Sequence, residues 1–574
     1  MKKNIFTIAL AALATMPAMA QETYESALIA TEDLNGTARY VGMGGAMEAL
    51  GADISTIGTN PAGIGLFRHS SFSASLGFTS LGKSESNNNK YSVARDGKTP
   101  MSFDQMGFVL STKMERGYLN FSLNYHKSRN FNQIITAANS LHQASQNKGS
   151  YIKWLRRASE DGGFDVDVNK KDEYMGYDGP KSDYISRNFS QTDYLLWNTF
   201  IPNKCYDKEY DIPYDEYGFI SAGGYAFYRD QKGYIGEYDI NISGNHDDRI
   251  YWGLTFGIKD VHYDHLSGYA EGLVYDDGES AGLLETSDKR RITGTGFNVK
   301  GGVIIRPVAD SPFRFGLSVS TPTWYELTSS NQTYLYNRSI NRYYQQPGYD
   351  DYFPFFGFKT RNDSYESEKY KMNTPWTFGA SLGHTIGQDL ALGLSYEYAD
   401  YGAIDNRIIT DEIYDDWSGT YTTHSESDEN MNANTKHSLK GVHTLKVGFE
   451  SRLFPELAVR AGYNYVSPMY SNDGYRSTCL NAIGCYNAST TDYTNWKDTH
   501  RITLGVGYNY KNFNLDVAYQ YSSQNGDFYP FESMGDIQDG WTEEAKPLYI
   551  NNIPGSTKVK NERHQLIMTL GWKF

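Results

Sequence analysis

The sequence predicts an all-β fold, a 14-stranded antiparallel transmembrane β-barrel with an N-terminal hatch (plug) and long extracellular loops. Three observations predict it. Stretches of about ten residues alternate apolar and polar side chains, the signature of barrel strands. The connections between those stretches alternate short and long. The composition has 48 Tyr and 55 Gly against 17 Pro and 3 Cys in 574 residues. Tyrosine suits a membrane–water interface because one end of the ring is apolar and the other wet. Glycine suits turns and the inward face of a barrel.

The elements follow in chain order. Residues 1–20, "MKKNIFTIALAALATMPAMA", read as a secretory signal peptide. Lys2 and Lys3 give the positive start, Ile5 to Ala14 the short apolar core, and Ala18-Met19-Ala20 the small-x-small cleavage site. The mature chain then starts at Gln21. The apolar run is too short to span a bilayer, and no later run reaches about 18 residues, so the reading contains no transmembrane helix.

Residues 21–70 are small, Gly- and Ala-rich and mildly apolar, unlike a charged, Ser-rich linker. They are expected to form a compact hatch inside the barrel mouth; a periplasmic arm is the alternative. Ala46–Leu50 can make one helical turn, and Asp53–Thr59 another, capped by Asp53 or Ser55 and ended by Pro61. "GMGGA" lacks the preceding strand, the spacing and the Lys of a phosphate-binding loop, so its glycines are read as packing residues.

Residues 71–574 carry the barrel. The alternating stretches are "SFSASLGFTSL", "DQMGFVLSTK", "GYLNFSLNYHK", "GYIGEYDINIS", "RIYWGLTFGIKDV", "TGTGFNVKGGVIIRP" and "FRFGLSVSTPTWYEL". After them come "TPWTFGASLGHTIG", "LALGLSYEYADYG", "VHTLKVGFESRL", "LAVRAGYNYVSP", "HRITLGVGYNYKN", "FNLDVAYQYSSQ" and the terminal "HQLIMTLGWKF". Fourteen is even, as bacterial single-chain barrels require. Long connections fall near 82–103, 129–231, 264–289, 328–371, 403–439, 470–496 and 526–560. Short turns face the periplasm and long loops face outside, which puts both termini on the periplasmic side. The inward positions include Asp239, Asn241, Thr255, Lys259, Ser318, Glu397, Arg460, Asn464, Arg501, Asn509, Asp516 and Gln520, a polar lumen.

In the last strand Leu566, Met568, Leu570, Trp572 and Phe574 share the lipid-facing side. This strand must close against the first, because lipid offers no water to an open edge. Its aromatic end, Phe574, resembles the signal by which outer-membrane barrels engage the barrel-assembly machinery.

The stretch 129–231 breaks the alternation. "FNQIITAANSLHQASQNKGSYIKWLRRASEDGG" reads as two amphipathic helices, with Ile134, Ile135, Ala138, Leu141 and His142 on the first. Ile152, Leu155 and Arg156 lie on the second, after a Gly-Ser break. Such helices form either a ligand-capturing lid or a loop packed on itself. The run "NRYYQQPGYDDYFPFFGF" is dense in aromatics: Tyr343, Tyr344, Tyr349, Tyr352, Phe353, Phe355, Phe356 and Phe358. It suits flat apolar ligands, a partner, or its own packing. His262 and His265 are the nearest extracellular pair for a haem iron. Cys479 and Cys485 are close enough in sequence for a disulfide and stand in a compartment that permits one; Cys205 stands apart.

Net charge −15 excludes nucleic acid as a partner. No G-x-S-x-G, H-E-x-x-H or clustered Ser/His/Asp pattern points to an enzyme, and no cofactor or metal is implied. A TonB-type receptor needs 22 strands. The expected partners are outer-membrane lipid and lipopolysaccharide, hydrophobic small molecules and the assembly machinery.

The stretch "GTARYVGMGGAMEALGADISTIGTNPAGIG" resembles the hatch of the FadL/TodX family of outer-membrane transporters for long-chain fatty acids and aromatic hydrocarbons. Asn60-Pro61-Ala62 matches that family's hatch motif, and "VGMGGA" and "ADISTIGTNPA" match ahead of it. The resemblance covers roughly residues 34–70; beyond them it is architectural. It implies passive passage of hydrophobic molecules from the loops into the lumen, exit through a wall gap near the third strand, and hatch movement. The loops here are longer than the family's, so only Asn60, Pro61 and Ala62 carry over, as direct participants or as a helix end and turn. The competing reading is a surface receptor, for haem or another ligand, without transport.

Overall fold

The structure, a computed structural model, describes residues 22–88, 90–161, 190, 192–193, 195–196, 202–207, 212–339, 353–356, 366–415, 420–477, 482, 485, 488–541 and 546–574. The expected signal peptide lies outside them.

Fourteen antiparallel wall strands close on themselves. They are β1 (Ser71–Leu81), β2 (Met101–Met114), β3 (Gly117–Asn130), β4 (Ala222–His246), β5 (Ile250–Val274) and β6 (Ser280–Ile305). Next come β7 (Arg314–Ser320, continued as Trp324–Ser339), β8 (Glu366–Asn373, continued as Thr377–Ile386), β9 (Leu390–Asp400) and β10 (Gly441–Arg452). The last four are β11 (Leu457–Val466), β12 (Tyr493–Tyr510), β13 (Phe513–Tyr529) and β14 (Thr557–Lys573). β14 closes the wall against β1, from Ser71↔Lys573 to Leu81↔Arg563. Each alternating stretch read from the sequence is one of these strands.

Parity decides what faces where. On β14, Leu566, Met568, Leu570 and Trp572 are exposed on the outer face, while Gln565, Ile567 and Thr569 are buried inside. On β5, Ile250, Trp252, Leu254, Phe256 and Ile258 form the same outer stripe. Together these stripes make an apolar belt. Along its long-loop edge lies a row of hydrogen-bonded ring pairs: Tyr396–His443, Tyr463–His500 and Tyr519–His564, each at 2.7 Å.

Two prolines interrupt neighbouring strands side by side. Pro322 splits β7 and Pro375 splits β8 where each lacks the ladder donor. Thr323 N donates to Thr374 Oγ1 at 2.8 Å, and Thr374 N donates to Thr323 O at 3.1 Å, so the seam stays tied.

At the long-loop end β4, β5 and β6 run for 25, 25 and 26 residues. At about 3.3 Å per residue that is roughly 80 Å, against the 9–11 residues a bilayer crossing needs. Their excess builds a dome with its own core, including Tyr225, Phe227, Tyr269, Leu284 and Phe528.

The dome corrects two expectations. The long connection expected near 264–289 is strand on both sides of a turn at 275–279, because β5 and β6 stay paired to Val274↔Ser280. The first predicted helix is a strand, Gln133–Ala144, paired to β4 from Gln133↔Gln231 to Ala144↔Ala222. The β-branched run Ile134-Ile135-Thr136 suits it, and the overlong β4 offers a free edge that a helix would leave unpaired. The second predicted helix exists as Gln146–Asp161 and runs straight through Gly149-Ser150. The apolar residues of this region pack into the dome core: Ile135, Leu141 and Ala144 sit against Tyr225 and Phe227.

Candidate functional site

The N-terminal segment contains α1 (Thr23–Ala30), α2 (Ala38–Gly42) and two 3-10 turns, Ile54–Gly58 and Pro61–Leu66. It is almost wholly buried. Its contacts go to inward-facing groups right round the wall.

Glycines on the wall make the close approach possible. A Cβ on Gly462 would lie 2.2 Å from Gly44 N, one on Gly448 2.4 Å from Met43 O, and one on Gly393 1.8 Å from Ala46 O. These three wall glycines are cross-strand partners: Gly393↔Gly448 and Gly448↔Gly462. A second paired set, Gly253↔Gly302, faces Pro61 and Asn60. The wall therefore carries a side-chain-free track on which the segment's backbone lies. Gly44 and Gly45, at φ +64° and +82°, turn the chain along it.

Asn60 is fully buried. Its Oδ1 caps the turn Pro61–Leu66 by accepting from Ala62 N at 3.1 Å, and its Nδ2 donates to Leu317 O at 3.4 Å. Its side chain fills space a Cβ on Gly302 would take, 2.0 Å from Oδ1. Pro61 opens this second turn as well as following the first, because its missing N–H costs nothing at a first helical position. Asp53 caps the first turn by accepting from Ser55 N at 2.9 Å.

The segment is fastened by both polar and apolar contacts. Arg39 makes a two-pronged pair with Glu450, at 2.9 and 2.8 Å. Glu48 meets Lys446 at 3.0 Å, and Lys446 also meets Glu397 at 2.5 Å. Glu32 meets Lys259 at 2.5 Å, and Glu25 pairs with Arg290. Ser26 Oγ donates to Asn406 Oδ1 at 2.7 Å, and Tyr24 OH donates to Asn495 Oδ1 at 2.7 Å. The apolar share is spread along the segment in four clusters: Tyr24, Ala27 and Ile29 pack with Tyr263, Tyr470 and Tyr493, Ala38, Tyr40 and Met43 with Ala518 and Ile567, Ile54, Ile57 and Ile64 with Val109, and Ala62 and Leu66 with Tyr251 and Ile304. Ile567, apolar between Gln565 and Thr569 on the inner face of β14, is explained by its contact with Ala38, Tyr40 and Met43.

Between the segment and the wall lies a cavity of about 350 Å³ toward the long-loop end. Its lining mixes rings (Tyr24, Phe131, Tyr470, Trp496) with charges (Asp33, Arg129, Lys259, Lys300, Arg501, Arg563). Asp33 is held from three strands. Its Oδ1 lies 3.0 Å from Arg129 Nη1 and 3.6 Å from Arg501 Nη2. Its Oδ2 accepts from Asn130 N at 3.0 Å and from Arg563 Nη1 at 3.3 Å.

Sequence reading singled out Arg501 among the inward residues and missed the rest of this cluster. Arg563 shares parity with Gln565 and Ile567, so it was within reach of the pattern. Arg129 was not: a bulge between Lys127 and Arg129 shifts the register and turns it inward.

His262 and His265 stand three apart on β5 and so point to opposite sides. His262 is outside, 2.9 Å from Asp260. His265 is buried inside, accepting from or donating to Tyr263 OH at 3.0 Å through Nδ1 and facing Asp288 at 2.8 Å through Nε2. They cannot ligate one iron together. Burial pushes the His265 imidazole below its usual range. Asp288 is held below the usual carboxylate range against its burial, by the His265 hydrogen bond and the Arg290 charge. Cys485 is buried with Sγ 3.1 Å from Ser477 O, and Cys479 lies outside the described residues. So do Tyr343, Tyr344, Tyr349, Tyr352 and Phe358; of the aromatic run, Phe353–Phe356 is a short strand on β7.

The wall beside the third strand is paired on both sides. β3 meets β2 from Gly117 to His126 and β4 from Gly117 to Asn130. β2 carries a bulge at Asp104, where its pairing with β1 skips a residue.

No protein-family model matches the chain, and no curated protein does. Solved structures do. The Ralstonia pickettii toluene transporter TbuX is 10% identical, over 94% of this chain and 99% of that one, with TM-score 0.42. A Pseudomonas aeruginosa FadL homologue is 11% identical, over 97% and 100%, with TM-score 0.43. The P. putida toluene transporter TodX is 10% identical, over 94% and 99%, with TM-score 0.41. The barrel described above rests on this chain's own strand pairing.

Proposed function

We propose that the chain is a passive outer-membrane channel for the uptake of hydrophobic molecules, long-chain fatty acids or aromatic hydrocarbons. Ligand is captured at the extracellular loops and released past residues 21–70 acting as a hatch, with both termini on the periplasmic side.

The observation that carries this reading is the N-terminal segment lying across the lumen on a glycine track, with ion pairs and hydrogen bonds among its fastenings. Polar fastenings exchange for water at small net cost, about 0.5–1.5 kcal/mol for a neutral hydrogen bond and more for a charged one. A segment held this way can yield. Its apolar contacts are divided among separate clusters rather than joined in one core. The sequence match around Asn60-Pro61-Ala62 supports the same reading.

Capture needs no covalent chemistry. Burying a hydrocarbon tail gains roughly 0.8 kcal/mol per CH₂, and direction comes from consumption inside the cell. The rings lining the cavity offer an apolar surface, and its charges suit a ligand with a polar head. In the paired wall described here, lateral exit requires a seam to open.

The test is uptake of a radiolabelled long-chain fatty acid by cells lacking their own transporter, with and without this protein. A second strain, free of native cysteines, carries Ser26→Cys and Asn406→Cys to tie the segment to the wall. Uptake that appears with the protein, falls on oxidation and returns on reduction supports the channel. Folded, inserted protein without uptake of acid or hydrocarbon refutes it and favours a surface receptor.

A further inference from the structure

We propose that Arg129, Arg501 and Arg563 form a binding site for the carboxylate head of an amphipathic ligand, and that Asp33 fills this site as an internal substitute which the incoming carboxylate displaces. The proposal rests on the channel reading and deepens it by naming the head-group chemistry and the residue that links binding to hatch movement.

The first argument is charge balance. Other ion clusters around the segment are near neutral or acidic: Arg39 and Arg460 share Glu450 and Asp516, and Lys446 sits between Glu48 and Glu397. The Asp33 cluster differs. Three guanidiniums face one carboxylate, and among the described residues none of the three lies within ion-pair distance of another acid. Two positive charges are left over in a poorly solvated place, where an uncompensated charge is costly. A second anion would relieve that cost.

The second argument is unused donors. Arg129 Nε–H and Arg563 Nε–H are buried donors that meet no acceptor among the described residues. A guanidinium offers a planar fork matched to a carboxylate; on the cavity wall Arg129 donates to Asp33 through Nη1, while Arg563 donates to Asp33 through Nη1 and to Asn130 O and Asn132 O at 3.1 and 2.9 Å through Nη2, which leaves its Nε. Buried donors left without acceptors are rare enough to need a reason.

The third argument is what Asp33 holds. It lies between α1 and α2, with its own N–H donating to Ser128 O at 2.8 Å. Two residues on, Asn35 Nδ2 donates to Lys127 O at 3.1 Å. Losing the Asp33 carboxylate from the arginines leaves this stretch with these hydrogen bonds and the neighbouring Glu32–Lys259 pair. A ligand carboxylate is chemically the same group as the one it replaces, so the site needs no rebuilding to accept it. The rings of Phe131, Tyr470 and Trp496 line the same cavity and offer the tail a surface. The exchange thus makes release selective for acids over neutral hydrocarbons.

The experiment uses the purified full-length protein and two labelled probes of equal chain length, palmitate and hexadecanol. Heat-modifiable gel migration confirms that each variant is folded. Asp33→Asn removes the internal competitor and is expected to tighten palmitate binding about tenfold, with hexadecanol unchanged. Arg501→Gln combined with Arg563→Gln is expected to weaken palmitate about tenfold or more and to spare hexadecanol. Arg501→Lys with Arg563→Lys, which keeps both charges, is expected to recover part of the loss. If both probes bind but these variants treat them alike, this inference fails and the channel reading stands. If neither probe binds the unaltered protein, the channel reading falls and the inference with it.

Discussion

Asn60 shows how much one side chain does here. It caps a turn through Oδ1, reaches Leu317 O through Nδ2 and fits the space opposite Gly302. Asn60→Ala is expected to cost about 1–2 kcal/mol locally, the usual loss of a cap. Hydrogen exchange at the Ala62 amide should then rise about tenfold. Asn60→Asp keeps the capping oxygen and should raise it less. Exchange unchanged in Asn60→Ala would show that the cap bears no weight. At this scale the sequence was readable where a residue type has one local job, as at Asn60 and Asp53. It was not readable where a job depends on a register slip. Arg129 joins the Asp33 cluster only because the β3 bulge turns it inward, and no parity count contains that bulge.

The strand Gln133–Ala144 marks where element-level reading failed. Ile134, Ile135, Ala138 and Leu141 do recur at helical spacing, yet the open edge of β4 takes the segment as a strand. Both faces are buried there, which erases the alternation that would have identified it. The helix Gln146–Asp161 beside it docks its first residues on Glu271, whose carboxylate accepts from Gln146 N at 2.9 Å, Asn147 Nδ2 at 3.1 Å and Tyr269 OH at 2.7 Å. Burial pushes the Glu271 carboxyl above its ordinary value of 4.5, against these hydrogen bonds. A raised carboxyl favours its neutral form in the fold. Its contribution is therefore full below pH 4.5 and is lost as pH rises through the higher folded value. Proteolysis within the helix should accordingly quicken as pH climbs from 4 toward neutrality. Glu271→Gln should remove that share of the pH dependence, and an identical profile in the variant would refute the assignment.

The whole molecule was the most legible scale. Strand number and the closing role of β14 follow from period-two alternation and from the rule that lipid tolerates no open edge. The dome was not legible, since strands continuing past a bilayer no longer need an apolar outer face. One prediction belongs here. Deleting residues 22–66 should leave a folded barrel and raise its single-channel conductance in planar bilayers from near zero to that of an open pore. Unchanged conductance would mean that the lumen is blocked by the loops instead. The glycine track adds a mechanical consequence. Interlocked side chains act as teeth, and moving past them means climbing out of each notch in turn. The paired glycines Gly393, Gly448 and Gly462 present no teeth. Backbone resting there meets a smooth bearing, so over this stretch position is set by the charged clasps and apolar clusters on either side.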